Sequence, residues 1–100
     1  MQESQLKILQ LLESNSELSQ RDLSKALGIS LGKTNYILKA LIEKGYIKAK
    51  NFKNSKNKWG YMYLLTKDGL ETKSKVAKEF LKRKSEEYEE LKKYFKTQES

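Results

Sequence analysis

The chain has 100 residues, with 21 Lys and Arg against 13 Asp and Glu for a formal charge of +8, and it contains no His, Cys or Pro. That length suits one domain with a single modest core, and without His or Cys there is no ordinary zinc site, imidazole base, thiol nucleophile or disulfide. The longest apolar run is the five residues 61–65, and Met1-Gln2-Glu3-Ser4 has neither a basic n-region nor an apolar h-region; this argues against a membrane span or secretory signal and for a cytoplasmic, basic binding protein.

The charge is unevenly placed. Residues 1–24 carry two basic and four acidic groups, residues 25–67 ten and one, and residues 68–100 nine and eight. Between Glu43 and Asp68 there is no acid, while Lys44, Lys48, Lys50, Lys53, Lys56, Lys58 and Lys67 all fall there. A one-sign stretch repels itself unless an anion neutralises it, and nucleic acid is the densest row of anions in a cell. A solvated lysine surface is the plainer alternative.

Helical spacing of Leu6, Ile8, Leu9, Leu11 and Leu12 predicts a first helix over residues 5–13. Ser14-Asn15-Ser16 ends it, and Ser19 with Asp22 three residues later forms a capping-box pattern opening a second helix over 20–27, with Leu23, Ala26 and Leu27 turned inward. Gly28 can take the left-handed conformation that closes this helix, and Ser30 can cap the next. A third helix over 31–44 buries Thr34, Ile37, Leu38 and Leu41, stops at Gly45, and shows Gly32, Lys33, Asn35, Tyr36 and Lys39 on its other face.

After Gly45 the period switches to two. Ile47 and Ala49 alternate with Tyr46, Lys48 and Lys50, and Tyr61 to Leu65 answer across the polar segment 51–60, which predicts a β-hairpin with a long basic tip. Thr66 can cap a last helix over 67–96, about 45 Å long and too long to stay on its own core. Leu70, Ala77, Leu81, Tyr88, Leu91 and Phe95 fall on a seam of alternating threes and fours, interrupted at Lys73 or Ser74 and at Lys84. A second copy of the chain is the expected partner of that seam, with Ala77, Leu81, Lys84, Tyr88, Leu91 and Phe95 as its dimerisation residues.

The expected fold is therefore mainly α with a small β-hairpin wing, a winged helix-turn-helix plus a long C-terminal dimerisation helix. Residues 1–66 would form the DNA-binding domain and 67–100 the dimerisation helix. In such a pair of helices the second is shaped to fill the major groove. Lys33 can donate to guanine, Asn35 can pair with adenine, and Ser30 and Thr34 are short hydroxyls near the helix start, although Thr34 also falls on the buried stripe. Gly32 replaces a better helix former where a close approach would need it. Ser19, Gln20 and Arg21 begin the second helix, where free N–H groups suit a phosphate. The hairpin tip Asn54, Ser55, Lys56, Asn57 and Lys58 would reach the flanking minor groove or backbone. Trp59, Tyr61 and Tyr63 at strand spacing read as packing residues rather than as stacking platforms for unpaired bases.

With these motifs in place, Leu18-Ser19-Gln20-Arg21-Asp22-Leu23, Leu27-Gly28-Ile29-Ser30, Leu38-Lys39-Ala40-Leu41-Ile42-Glu43-Lys44-Gly45 and Leu64-Leu65-Thr66-Lys67-Asp68-Gly69 resemble a MarR-family transcriptional regulator. Gly28-Ile29-Ser30-Leu31-Gly32-Lys33 and Asn51-Phe52-Lys53-Asn54-Ser55-Lys56-Asn57-Lys58 are more similar still to the short exopolysaccharide-associated (EPS-associated) MarR-type regulators. The resemblance implies a bacterial or archaeal, dimeric, winged-helix DNA-binding protein that regulates transcription with no metal or organic cofactor. Two recognition helices related by a two-fold axis predict a pseudo-palindromic operator in double-stranded DNA, bound by a homodimer that is expected to be cytoplasmic and nucleoid-associated. MarR wings commonly carry Asp-x-Arg before the second wing strand; here the matching positions are Asn57 and Trp59, leaving Lys56 or Lys58 to take over the arginine's role. Full-length relatives also have further C-terminal helices that help form an effector pocket, so no effector is carried over. The alternative is a winged-helix adaptor that binds protein without specific DNA binding. An enzyme is not expected, because Ser30 and Lys33 read as a helix cap and a DNA contact rather than a catalytic pair.

Overall fold

A computed structural model of the chain describes residues 1–53, 56 and 59–99. The elements in chain order are α1 (Glu3–Ser14), α2 (Gln20–Leu27), α3 (Leu31–Glu43), β1 (Ile47–Lys53), β2 (Trp59–Leu65) and α4 (Lys67–Glu99). The apolar stripe of α1 supplies Ile8, Leu9 and Leu12 to a core completed by Leu23 of α2, Ile37, Leu38 and Leu41 of α3, Ile47 of β1 and Tyr63 of β2. Each aliphatic side chain buried this way contributes on the order of 1.5–3 kcal/mol, which holds three short helices that would not be stable alone.

Local chemistry sets the turns. The Ser19 hydroxyl accepts from the Asp22 N–H at 3.0 Å, and the Asp22 carboxylate accepts from the Ser19 N–H at 3.0 Å, closing the capping box at the start of α2. Gly28 ends that helix at φ 67°, and the Ser24 hydroxyl donates to the Ile29 carbonyl at 2.6 Å to brace the turn into α3. Ser30 caps α3 by accepting from the Lys33 N–H at 3.1 Å. The helix ends one residue earlier than its spacing predicts, with Lys44 as the C-cap and Gly45 at φ 78°. Ala26, expected inside, is exposed; the inner edge of this short helix is occupied by Leu23 and Leu27, and Ala26 lies beyond it.

The hairpin is antiparallel, with Ile47 opposite Leu65, Ala49 opposite Tyr63 and Asn51 opposite Tyr61. Pairing extends further out than predicted, because Phe52 and Lys53 pair with Gly60 and Trp59, so both ends of the expected loop belong to strands. The Phe52 ring lies where a Cβ on Gly60 would come within 3.4 Å, so the outer ladder has an aromatic cover. The Tyr63 N–H donates to the Ser16 carbonyl at 3.1 Å and ties β2 to the α1–α2 turn.

At the start of α4 the Thr66 hydroxyl accepts from the Gly69 N–H at 3.0 Å and donates to the Gly45 carbonyl at 2.6 Å, while the Thr66 N–H donates to the Tyr46 carbonyl at 3.0 Å. A Cβ on Gly69 would lie 2.0 Å from that Tyr46 oxygen, so only glycine allows the helix to seat here. Thr72, Lys73, Val76, Ala77 and Phe80 follow on one half-buried stripe, and the Lys73 ammonium pairs with the Glu13 carboxylate of α1. Ala77, assigned from sequence to a seam without an intramolecular partner, is thus partly covered by its own chain. Beyond Phe80 every position from 81 to 97 is exposed, and the molecule measures 65 × 26 × 23 Å. Among the described residues no helix is long and apolar enough to cross a membrane, and no cluster of acidic side chains could hold a metal.

Candidate nucleic-acid interface

Helix α3 is held by one face and open on the other. With Thr34, Ile37, Leu38 and Leu41 buried, a rotation of about 100° per residue puts Gly32, Tyr36 and Lys39 on the opposite ridge, with Lys33 on one flank and Asn35 on the other. Gly32, Lys33 and Lys39 are exposed, Tyr36 is 75% exposed, and Asn35 is half-buried. A Cβ built on Gly32 would meet nothing within 4 Å. No contact within the described chain therefore requires glycine at this helical position, where it costs up to about 1 kcal/mol relative to Ala.

Thr34 is removed from the predicted contact set. Its side chain is fully buried, and its hydroxyl donates to the Ser30 carbonyl at 3.0 Å, so it satisfies its polarity inside the helix instead of facing outward. Ser30 is exposed and serves as the cap of the same helix.

The predicted residues of α2 come together with the wing. Ser19, Gln20 and Arg21 share a cleft of about 390 Å³ with Leu31 at the first turn of α3 and with Tyr61 and Tyr63 of β2. The Gln20 amide donates to the Tyr63 hydroxyl at 3.4 Å, which links α2 to the wing. The capping box consumes the Ser19 and Asp22 N–H groups, leaving those of Gln20 and Arg21 as first-turn donors without an intrahelical acceptor. Hydrogen bonds from the Ser19 backbone N–H and from its side chain hold the Asp22 carboxyl below the usual carboxylate range, with the Lys25 charge adding to the effect.

Leu31 was given no role by sequence reasoning and Tyr61 was read there as a packing residue, yet both line this cleft and are 46% and 60% exposed. For Leu31 the available signal was its place just outside the buried stripe of α3. Tyr61 stacks beside Tyr63 at 6.4 Å, so the inner tyrosine is a core residue and the outer one forms the cleft wall. Lys48, Lys50, Lys53 and Lys56 are all exposed along the hairpin, as is Lys44 at the end of α3. The predicted tip residues Asn54, Ser55, Asn57 and Lys58 lie outside the described residues.

A cradled helix with an open ridge, a helix start beside it and a basic two-stranded wing together define a winged helix-turn-helix. The family model described as winged helix-turn-helix DNA-binding matches residues 1–48. Among solved structures the chain is similar to a MarR/EmrR family transcriptional regulator from Acinetobacter sp. ADP1, at 28% identity and TM-score 0.66 over 87% of this chain and 59% of that one. It is also similar to wild-type MarR from E. coli, at 24% identity and TM-score 0.65 over 75% and 54%. A third similar structure is the adhesin competence repressor AdcR from Streptococcus pyogenes, at 22% identity and TM-score 0.70 over 92% and 65%. No curated protein matches the chain significantly. The chain spans a little over half the length of the first two structures. The fold shared with these structures is that of MarR-type regulators.

Proposed function

We propose that the protein is a homodimeric transcriptional regulator that binds double-stranded DNA at a pseudo-palindromic operator. The open ridge of α3 enters the major groove, with Lys33 and Asn35 reading base edges and Tyr36 and Lys39 alongside. The Gln20 and Arg21 N–H groups and the Arg21 side chain take a backbone phosphate at the cleft, next to Ser19. The wing, with Lys56 and the tip around it, lies on the minor groove or backbone. The observation that carries this reading is Gly32: an exposed helical glycine that no neighbour in the described chain explains, on the one ridge of α3 turned outward, leaves room for a close external surface. The residues of segments 28–33 and 51–58 support a bacterial regulator of the short exopolysaccharide-associated type, acting in the cytoplasm on the nucleoid.

The test is binding to a duplex selected from random DNA. If each dimer neutralises roughly six to ten phosphates, affinity falls by about 10³- to 10⁵-fold between 50 and 200 mM salt; a flat response rejects the mechanism. On that duplex, Lys33→Ala relaxes base preference at one position per half-site, whereas Lys56→Ala weakens selected and random DNA alike. Identical losses for both variants on both DNAs would overturn these roles.

A further inference from the structure

We infer that the cleft between α2, α3 and β2 holds one deoxyribose of the DNA strand running between α3 and the wing, and that Leu31 and Tyr61 pack on that sugar closely enough to exclude ribose. The inference rests on the duplex-binding reading above and adds to it a contact that senses the sugar. The two grooves of a duplex are separated by a single sugar–phosphate strand. A helix in the major groove and a wing on the adjoining minor groove therefore straddle one strand, and the surface between them faces it.

Leu31 and Tyr61 form that surface. Leu31 opens α3 directly before Gly32, Tyr61 lies on β2, and both line the cleft. The hairpin register fixes which wing residues share this side. Opposed residues of an antiparallel pair point to one face and successive residues alternate. Tyr61 and its partner Asn51 thus lie on the face of Tyr63, which is buried in the core, whereas Lys48 and Lys50 lie on the opposite face with Leu64 and Met62. The side of β2 nearest the helices presents a tyrosine to the strand, and two of the wing lysines are turned away from it.

The chemistry of the walls selects the sugar. Phosphate oxygens seek donors, which Gln20 and Arg21 offer at the same cleft. The leucine and tyrosine faces offer phosphate nothing, but they gain by covering the C–H surface of a deoxyribose. A free small ligand fits less well. Such ligands ordinarily have roughly 70–90% of their surface buried, and walls that are 46% and 60% exposed do not surround one. A 2′-hydroxyl projects to the minor-groove side, which is the side of the wing. There it would press on the tyrosine ring and the leucine methyls, which hold no strong acceptor, and burying an unbonded hydroxyl weakens binding by about tenfold.

The duplex selected from random DNA is the probe, with a single ribonucleotide walked through every position of one half-site. Ribose costs the parent chain about tenfold in affinity at one position or two adjoining ones, and little elsewhere. A 2′-fluoro sugar at that position, which takes the ribose pucker without a hydroxyl, binds nearly as deoxyribose does. Leu31→Ala and Tyr61→Ala weaken the all-deoxy duplex several-fold and erase the ribose penalty; Tyr61→Phe retains it, and Lys48→Ala moves neither its position nor its size. Both truncated side chains are exposed, and thermal unfolding checks that each variant is folded. A flat ribose profile, in a chain that binds the selected duplex with the salt dependence given above, overturns this inference and spares the regulator reading. A ribose penalty that survives both alanine variants does the same, as do cleft variants that bind every duplex like the parent, which would leave the cleft to a free ligand. A parent chain without affinity for any duplex overturns the regulator reading and this inference with it.

Discussion

Gly32 separates the demands of folding from those of binding. In the free protein a methyl group there touches nothing, and alanine is the better helix former, so Gly32→Ala should raise stability by several tenths of a kcal/mol up to about 1 kcal/mol. On the proposed interface the same methyl meets DNA, and affinity for the selected duplex should fall by about tenfold, the cost of one contact. Urea unfolding and duplex titration of a single preparation check both halves. A variant that is more stable and binds equally well would move the close approach away from this ridge. Asp22 makes a different prediction. Its carboxyl is held below its ordinary value by the Ser19 hydrogen bonds, so its contribution to stability is fully present above about pH 4, where the unfolded carboxyl is also ionised. That contribution is lost as the pH falls through the lower folded value. Thermal unfolding followed from pH 5 to 2.5 should show a shallower acid loss in Asp22→Asn than in the parent chain.

Turns and helix stops were legible because their residues have few alternatives: Gly28 and Gly45 both adopt positive φ where the spacing ends a helix. Thr34 was ambiguous for a physical reason, since a threonine on an inner stripe can either face a groove or bond its own helix backbone, and spacing cannot say which. The inner stripe of α4 was hidden by its composition. Thr72 and Lys73 are polar, yet they lie half-buried, Lys73 through its ion pair with Glu13, and the sequence offered only Val76, Ala77 and Phe80 as apolar members. The outer hairpin carries no alternation to read, because Asn51 and Lys53 are exposed and it is strand pairing that orders them. At the scale of elements the decisive contact is Gly69 against the Tyr46 carbonyl. Gly69→Ala forces the first turn of α4 away from β1 and should cost about 1–3 kcal/mol, the usual penalty for an overpacked site. Chemical denaturation measures it, and an unchanged midpoint would show that the helix reseats freely.

For the molecule as a whole, the described chain divides its labour along its 65 Å length. One end holds the core, the ridge of α3 and the cleft; the other is a helix whose exposed side chains have no work inside the domain. Removing residues from 79 onward should leave a folded monomer whose duplex affinity falls by at least about a hundredfold, because two linked half-sites bind with far greater avidity than one. Analytical ultracentrifugation and the duplex titration check it; an unchanged dimer mass would place the contacts elsewhere.

The bonds around Tyr46 couple these two ends. Its N–H donates to Leu41 of α3 at 3.0 Å, its carbonyl accepts from Thr66 at 3.0 Å, and the Thr66 hydroxyl holds Gly45. The last turn of α3 and the first turn of α4 are thus joined through a few backbone atoms with no linker to absorb motion. In any dimer built on α4 the two reading heads behave like the points of a locked pair of dividers, set to one opening. Operators with an extra base pair between their halves would have to be over- or underwound to fit, so discrimination by spacing comes from the stiffness of the double helix itself.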